Sequence, residues 1–406
     1  MSKTARATRL SFEDEELGEI AFPKRALRVR RGIGSGLALS PDGRLFAVGD
    51  RGPNLKVKLA VERYGLEHLR DIEGADQAKI MPCLDVGPAI VELTVEQDSV
   101  RQVAVLPLRD GKGRAASGLP TPGSANCVLE PALAPDGRRL GPDPGGIDSE
   151  GLAATRDGGF WVGDEYGPSL LRVSADGTIE RRLLPEGCGS DGAAYRQEPV
   201  LPAVAARRHV NRGFEAMALS ADEQRLHLIF QSPLAHPDGH AHEQANHCRL
   251  WTLDLSSGSV LAQYLYPLDP PDSFRRDAAE DEVSRADVKV SEMVALSDRR
   301  LLLLERISHT TKIYLVELDP SAALASEELD VDRRPTIEER SAAGRLDLPV
   351  LEKRLVLSTD DLPQVCKDME GMVVLSERSL LLVNDNDFGT EDAATQFWRI
   401  DLPEAP

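Results

Sequence analysis

Five segments of the chain repeat one pattern: an apolar run, a short polar turn, a second apolar run and a polar end. They begin at or next to positions 36, 150, 215, 292 and 370, and most are followed by further strand-like stretches. A hairpin followed by two more strands is the content of one propeller blade. The longest gap between repeats leaves room for a divergent blade that includes residues 89–95 and 101–107. The sequence therefore predicts an all-β fold, a single β-propeller over residues 1–406 with six blades, or seven as the alternative, closed by N- and C-terminal strands.

Three long segments of the chain carry many Pro, Gly or charged residues and no strand pattern. They lie near residues 107–147, 269–287 and 320–345. Segments of this length between strands are predicted to be loops over a face of the propeller.

The chain is strongly acidic, with 48 Lys and Arg against 67 Asp and Glu and a formal net charge of −19. Such a charge repels nucleic acid and anionic membranes, so we predict neither as a partner. No apolar run approaches the roughly 20 residues of a membrane-spanning helix. The first residues show no secretory signal, and the five scattered cysteines favour reduced thiols. These features predict a cytoplasmic protein with no identifiable partner protein.

Acidic residues recur at the ends of the predicted hairpins. Counting outward from each turn places Glu150 opposite Glu165, Glu215 opposite Gln231, Glu292 opposite Glu305, and Glu370 opposite Asp385. Like charges directly opposite destabilise an antiparallel pair unless a cation lies between them. The first strand of every propeller blade lines the central channel, so these side chains would meet at one mouth. Oxygen ligands alone favour Ca²⁺ first, and Mg²⁺ or Mn²⁺ second.

Cations flank the same positions. Arg51 follows Asp50, Arg212 follows Asn211, and Arg306 follows Glu305. A metal ion together with arginine is a suitable receptor for a phosphate or carboxylate ester, because both neutralise charge that develops on an oxyanion. The alternative interpretation is that each arginine only neutralises a neighbouring acid.

Four of the eight histidines lie between residues 236 and 247. One hypothesis is a zinc or copper site in this stretch. The other is a surface loop that overhangs the channel, where His240 and His242 contact the substrate or protonate a leaving group.

Several motifs occur together in a fixed order. They are Asp148-Ser-Glu-Gly-Leu-Ala, Trp161-Val-Gly-Asp-Glu-Tyr-Gly-Pro168, Asn211-Arg-Gly-Phe-Glu-Ala-Met-Ala, Gln231-Ser-Pro-Leu234, Leu303-Leu-Glu-Arg306, Glu370-Gly-Met and Asn384-Asp-Asn-Asp-Phe388. In this combination the chain after about Gly32 resembles the phytase-like family, also described as having esterase-like activity of phytase. The resemblance implies a β-propeller whose recurring acids carry phosphoester hydrolysis. Those acids correspond to Glu150, Asp164, Glu165, Glu215, Glu305, Glu370 and Asp385.

The leading hypothesis is a metal-dependent hydrolase of phosphoric esters that acts on a small-molecule substrate at the channel mouth. Its metal ligands are expected to be Glu150, Asp164, Glu165, Glu292, Glu305, Glu370 and Asp385. Glu165 or Glu215 would be the base, and Arg51, Arg212 or Arg306 would stabilise charge. Substrate contacts are expected from Asp50, Asn211, Gln231, Asp387, His240 and His242. Two alternatives stay open: a non-catalytic binding propeller with a structural metal, and a lactonase or carboxylic esterase that uses the same metal.

Overall fold

The computed structural model describes residues 4–123, 128–189 and 191–406. Residues 124–127, in the predicted loop 107–147, therefore lie outside the described residues. Strands dominate, and the α-helices are short: α1 (Val57–Glu62), α2 (Gly239–Gln244), α3 (Arg275–Glu280) and α4 (Ile337–Ala342). Short 3-10 helices span Glu67–Asp71, Ala75–Gln77, Ala203–Arg207, Pro271–Ser273, Arg285–Asp287, Pro320–Ala322, Ser326–Leu329, Thr359–Asp361 and Asp387–Gly389. The all-β prediction is confirmed.

The strands of the first half of the chain are β1 (Arg6–Leu10), β2 (Glu16–Ile20), β3 (Leu27–Arg30), β4 (Gly36–Leu39), β5 (Leu45–Val48), β6 (Leu55–Lys56), β7 (Lys79–Ile80), β8 (Ala89–Val95), β9 (Val100–Pro107), β10 (Ala132–Leu133), β11 (Ser149–Ala154), β12 (Phe160–Asp164), β13 (Ser169–Val173), β14 (Ile179–Pro185) and β15 (Arg196–Leu201). Those of the second half are β16 (Phe214–Leu219), β17 (Arg225–Phe230), β18 (His247–Asp254), β19 (Val260–Pro267), β20 (Lys289–Ala295), β21 (Arg300–Arg306), β22 (Thr311–Glu317), β23 (Lys353–Ser358), β24 (Met369–Ser376), β25 (Ser379–Asn384) and β26 (Phe397–Asp401).

Five sheets of the described chain contain four or five strands each. Their strand orders are β4-β5-β8-β9, β11-β12-β13-β14-β15, β16-β17-β18-β19, β20-β21-β22-β23 and β24-β25-β26-β1. Neighbouring strands are antiparallel, except that β15 pairs in parallel with β14. In the last sheet the N-terminal strand β1 pairs antiparallel with the C-terminal strand β26. This N-terminal strand spans Arg6–Leu10.

The first strands of the five sheets follow one another around a ring. β4 contacts β11, β11 contacts β16, β16 contacts β20, β20 contacts β24, and β24 contacts β4. The residues expected in an additional divergent blade, 89–95 and 101–107, are in β8 and β9, which complete the first sheet. The predicted count of six blades is therefore not confirmed.

Residues 51–88 separate β5 from β8 in sequence and belong to a second packing unit. This unit combines α1, the sheet β6-β7-β10 and the hairpin β2-β3. Its core includes Leu27, Leu55, Val61, Leu69 and Ile80. The assignment of residues 1–406 to one domain stays a prediction.

The segments predicted as long loops contain short helices that pack on the sheets. In the segment 320–345, the Glu338 carboxylate of α4 is buried and accepts two hydrogen bonds of 2.8 Å from Arg249 of β18. In the segment 269–287, Asp277 of α3 is buried and accepts backbone N–H groups of the β21–β22 loop. Among the described residues, no helix is both long and apolar enough to span a membrane.

Candidate functional site

The four predicted hairpins form, but their pairing differs by one residue from the predicted register. In the β11–β12 hairpin the innermost pair is Ala154 with Phe160, so five residues form the loop where the prediction assumed two. Glu305 consequently lies opposite Val290 instead of Glu292. The predicted face-to-face pairs are wrong, because the loops, or the bulges beside them, contain more residues than a minimal turn.

A β-bulge interrupts the first strand at the same place in all four hairpins. The register shifts lie between Ser149 and Gly151, Phe214 and Met217, Val290 and Glu292, and Met369 and Gly371. A bulge leaves an extra residue unpaired, bends the strand and changes the direction of a side chain. In three hairpins the bulge contains Glu150, Glu215 or Glu370. The side chains of these glutamates therefore do not follow the alternation between the two faces of a regular strand.

Five acidic side chains converge at this end of the ring. Glu150, Glu215 and Glu370 each offer a carboxylate oxygen, and the three oxygens lie within 4.8 Å of one another. Glu150 also forms a second group of the same size with Asp50 and Asp148. We call these five residues the acidic centre. Four of them are buried, and the Glu370 side chain is only 13% exposed. A site with only carboxylate oxygens suits a hard divalent cation such as Ca²⁺.

The basic side chains and N–H groups of the protein do not fully balance the negative charge of the ionised acidic centre. Burial raises the pKa of Glu215 to about 8, and the charges of Glu370 and Glu165 add to the shift. Burial, together with the neighbouring aspartates, also raises the pKa of Glu150 well above its usual range. The buried Oε2 of Glu215 accepts no hydrogen bond from any described residue. A divalent cation fits these residues, because it would contact this oxygen and cancel the repulsion.

Arg51 borders the acidic centre and is almost completely buried. Its Nε donates to Asp148 at 2.9 Å, its Nη1 donates to Glu130 at 2.9 Å, and its Nη2 donates to Asn211. Arg51 therefore lies against Asp50 and Asn211, and its hydrogen bonds hold Asp148 in place.

Arg306 and Arg212 are two further cations near the acidic centre. Arg306 is buried and donates to Ser291 at 2.9 Å, to the backbone oxygen of the next residue at 3.0 Å, and to Glu370. Arg212 is only half-buried, and its Nη1 donates to Gln231 at 2.8 Å. Arg306 is therefore fixed by hydrogen bonds from all three of its nitrogens, whereas Arg212 is fixed by one, although the sequence analysis gave both the same expected role.

Three further carboxylates lie around the acidic centre. Glu165 is 4.0 Å from Nη2 of Arg51, and its Oε1 accepts the N–H of Gly213 at 3.1 Å. Burial raises the pKa of Glu165. Burial and neighbouring carboxylates also raise the pKa of Asp385 and Asp387, that of Asp387 to about 7. Glu165, Asp385 and Asp387 therefore lie beside the acidic centre, although not in the predicted cross-strand pairs.

Two predicted metal ligands have other partners. Asp164 is fully buried, and its carboxylate accepts hydrogen bonds from Arg182, from Ser169 and, at 2.8 Å, from the backbone N–H of Asp148. Glu305 accepts hydrogen bonds from Tyr266 at 2.7 Å and from Lys353 at 2.7 Å. The one-residue difference in register directs Glu305 to the other face of its strand. Among the described residues, neither the Asp164 nor the Glu305 carboxylate therefore belongs to a group of potential metal ligands, although Asp164 helps to fix the backbone of Asp148.

Glu292, another predicted metal ligand, is bonded to backbone N–H groups. Its carboxylate is buried among the first strands and accepts the N–H groups of Leu37 at 2.9 Å and Met293 at 3.0 Å. Burial raises the pKa of Glu292 well above its usual range. Because its oxygens are bonded to backbone N–H groups of β4 and β20, Glu292 links these strands and is separate from the acidic centre.

The predicted histidine stretch is partly buried. His242 lies on α2, its Nδ1 is 2.7 Å from the backbone oxygen of Pro233, and its ring stacks on His209 at 4.3 Å. Burial lowers the pKa of His242 to about 4, and His240 is exposed on the same helix. Within the described ranges, no group of three potential metal ligands includes a histidine. The structure therefore gives no support to the zinc or copper hypothesis.

Sequence reasoning missed two residues of the site. Asp148 lies in the motif that contains Glu150, two positions earlier, and this spacing could have identified it. Lys289 lies directly opposite Arg306 at the start of β20, and burial lowers its pKa to about 8. Nothing in the local sequence distinguishes Lys289 from other lysines.

One curated relative, an uncharacterized secreted protein from Arthroderma benhamiae, is 30% identical over 136 residues. This match covers 30% of the present chain and 25% of the relative, so the chain spans about a quarter of the relative's length. Because that relative is named as secreted, the predicted cytoplasmic location is contradicted and is withdrawn.

Several solved structures match most of the chain at low similarity. A luciferin-regenerating enzyme is 10% identical, with a TM-score of 0.35 and coverage of 97% of this chain and 96% of that chain. A virginiamycin B lyase from Staphylococcus aureus is 10% identical, with a TM-score of 0.33 and coverage of 98% and 99%. A gluconolactonase from Xanthomonas campestris is 11% identical, with a TM-score of 0.34 and coverage of 98% and 98%. At scores this low, these similarities carry no argument about activity.

The comparison with family models covers most of the chain. The model of the phytase-like family, described as esterase-like activity of phytase, matches residues 30–388. This range contains all five residues of the acidic centre, and the description supports a hydrolase. The chain therefore belongs to the phytase-like family.

Proposed function

We propose that this protein is a metal-dependent hydrolase of phosphoric esters that acts at the acidic centre. We also infer that the five sheets around the ring are the blades of a five-bladed propeller, in place of the six counted from sequence. One observation carries the functional proposal: largely buried carboxylates from four sheets converge there, and Glu215 Oε2 has no hydrogen-bond donor among the described residues. When fully ionised, such an arrangement is strongly destabilising unless a cation binds, and without a cation the carboxylates tend to keep their protons.

The metal would be held by Asp50, Asp148, Glu150, Glu215 and Glu370, with Ca²⁺ as the first candidate and Mg²⁺ or Mn²⁺ as the second. When bound, the ion supplies a Lewis acid for the phosphoryl oxygens and lowers the pKa of a water molecule. Arg51 contributes by fixing the orientation of Asp148, and Arg306 does the same for Glu370.

Glu165 is the best candidate for the general base. It lies beside the acidic centre but outside both groups of potential ligands, so its carboxylate is free to accept a proton from water. The N–H of Gly213 fixes one carboxylate oxygen at 3.1 Å. Burial raises its pKa, which makes it a stronger base than an exposed glutamate. Glu215, the alternative base, is better assigned to the metal.

A second candidate function is hydrolysis of lactones or carboxylic esters at the same centre. The family description, which names an esterase-like activity, favours it. The same metal and base would act on a carbonyl carbon in place of a phosphorus atom.

Hydrolysis assays on the full chain separate these possibilities. We would compare p-nitrophenyl phosphate, bis(p-nitrophenyl) phosphate, p-nitrophenyl acetate and an aliphatic lactone, with Ca²⁺ and with EDTA. We expect phosphoester turnover that is lost with EDTA and in Glu215→Gln. The control Glu377→Gln, at the exposed turn after β24, removes the same charge far from the acidic centre and should keep wild-type turnover.

Each other outcome has a defined meaning. Turnover of only the acetate or the lactone would favour the second candidate. Turnover that survives EDTA would exclude the proposed metal dependence. No turnover of any substrate, with Ca²⁺ bound, would indicate a binding protein in place of an enzyme.

A further inference from the structure

Four of the cations near the acidic centre, Arg51, Arg306, Arg212 and Lys289, differ in how many of their N–H groups are already hydrogen-bonded. Arg51 and Arg306 are buried, and each uses all three guanidinium nitrogens. Arg212 uses only Nη1, toward Gln231, and its Nε and Nη2 donate to no described residue. The ammonium group of Lys289 donates no hydrogen bond within the described part of the chain.

Lys289 and Arg212 also lie close to each other and to the acidic centre. The backbone N–H of Val290, next to Lys289, donates to the backbone oxygen of Gln231 at 2.8 Å, and the side chain of Gln231 accepts from Arg212 at 2.8 Å. Lys289 is also paired with Arg306, which donates to Glu370. Despite this proximity, Lys289 and Arg212 form no ion pair with a described carboxylate, whereas Arg306 pairs with Glu370. The carboxylates of the acidic centre are therefore not the partners that hold these two cations in place.

The ammonium group of Lys289 lacks a hydrogen-bond acceptor among the described residues, although the carboxylates of Glu215 and Glu370 attract it. Lys289 is half-buried and lies directly opposite Arg306 on the neighbouring strand. Like charges directly opposite each other destabilise an antiparallel pair, and a nearby divalent cation would add to the repulsion. An anion with several oxygens would remove this conflict, because it could accept hydrogen bonds from both side chains at once.

We propose that Lys289 and Arg212 form an oxyanion subsite that binds the terminal oxygens of a phosphomonoester beside the metal. This inference rests on the proposed function and deepens it, because it selects two of the four cations as substrate contacts. Arg51 and Arg306, by contrast, orient the metal-binding carboxylates. Gln231 supports the subsite indirectly, because its side-chain oxygen accepts from Nη1 of Arg212 and leaves the other two nitrogens of that guanidinium group free of described partners.

Calorimetric titration with phenylphosphonate tests the proposal, because this phosphomonoester analogue binds without being hydrolysed. We would titrate the Ca²⁺-loaded full chain, its Lys289→Met, Lys289→Arg and Arg212→Met variants, and the control Lys112→Met, which removes an exposed lysine. We expect Lys289→Met and Arg212→Met each to weaken phenylphosphonate binding about tenfold or more. Lys289→Arg should restore most of the affinity, and Lys112→Met should leave it unchanged.

A second titration, with Ca²⁺ alone, distinguishes substrate binding from a structural role. Lys289→Met removes a like charge, so we expect its affinity for Ca²⁺ to be equal to or higher than that of the wild type. Loss of Ca²⁺ affinity in this variant, unchanged phenylphosphonate affinity in both variants, or no phenylphosphonate binding by the wild type would each overturn the proposal. Binding without any phosphoester turnover would instead count against the proposed function and leave the subsite supported.

Discussion

Replacing Glu215 by Gln should stabilise the metal-free protein at alkaline pH. In the folded protein burial raises the pKa of Glu215 from 4.5 to about 8, and Glu370 and Glu165 add to the shift. A raised carboxyl pKa means that the folded state binds this proton more tightly than the unfolded state. The stability that the group contributes is therefore complete below pH 4.5 and is lost as the pH rises to about 8.

The size of the effect follows from the shift. A change from 4.5 to about 8 corresponds to roughly 5 kcal/mol in total, at about 1.4 kcal/mol per pH unit. Glutamine avoids ionisation, but its amide adds N–H donors that need partners in a buried place. We therefore expect the free energy of unfolding to rise by about 2–3 kcal/mol at pH 8.5 and to change little at pH 4.5. For 406 residues this gain corresponds to about 3 °C in Tm.

Calorimetric melting in EDTA at pH 4.5, 6.5 and 8.5 measures this difference. Glu377→Gln is the control, because it removes the same charge from an exposed turn and should not change the pH profile. Adding Ca²⁺ at about 100 times its Kd should stabilise the wild type by about 2.7 kcal/mol at pH 8.5 and stabilise Glu215→Gln less. A Tm difference between Glu215→Gln and the wild type that stays constant from pH 4.5 to pH 8.5 would refute the reasoning.

Two further predictions concern the fold that supports the acidic centre. Glu338→Gln should lower the free energy of unfolding by about 3–5 kcal/mol in urea titration, because it leaves Arg249 buried without its carboxylate partner; an unchanged transition midpoint would contradict this. Gly151→Ala should weaken Ca²⁺ binding and lower stability by about 1–3 kcal/mol, since a Cβ there would lie 2.1 Å from the backbone oxygen of Glu215. A Ca²⁺ titration identical to that of the wild type would show that β11 and β16 need not approach so closely.

The repeated hairpins could be predicted from the sequence because their pattern is local. The blade count could not, because it depends on which distant strands pair. β5 pairs with β8 across the inserted residues 51–88. That insertion separates the two strands so far that β8 and β9 resembled the start of another blade. Pairing between strands that are distant in sequence leaves no local signal in either strand.

For the site, as for the fold, only the local pattern could be predicted from the sequence. Glu150, Glu215 and Glu370 were identified because they recur at equivalent positions, although the reason given, pairing across each hairpin, was incorrect. The bulges, not cross-strand pairs, bring them together. Glu305, which the predicted pairing equated with Glu165 and Asp385, bonds Lys353 instead, since one residue of register decides which face a strand side chain occupies.

The arrangement of charges also bears on whether a metal at the acidic centre would be structural or catalytic. A metal ion that only links blades needs carboxylates, and cations beside it would weaken its binding. Lys289 and Arg212 nevertheless lie beside the acidic centre with N–H groups that no described residue accepts. An anionic substrate that binds to Lys289 and Arg212 would offset their repulsion of the metal. This explains why two cations lie beside a metal site. For this reason, a variant that lacks Lys289 should bind Ca²⁺ at least as well as the wild type while it binds the phosphonate less tightly, a combination that a purely structural metal site does not predict.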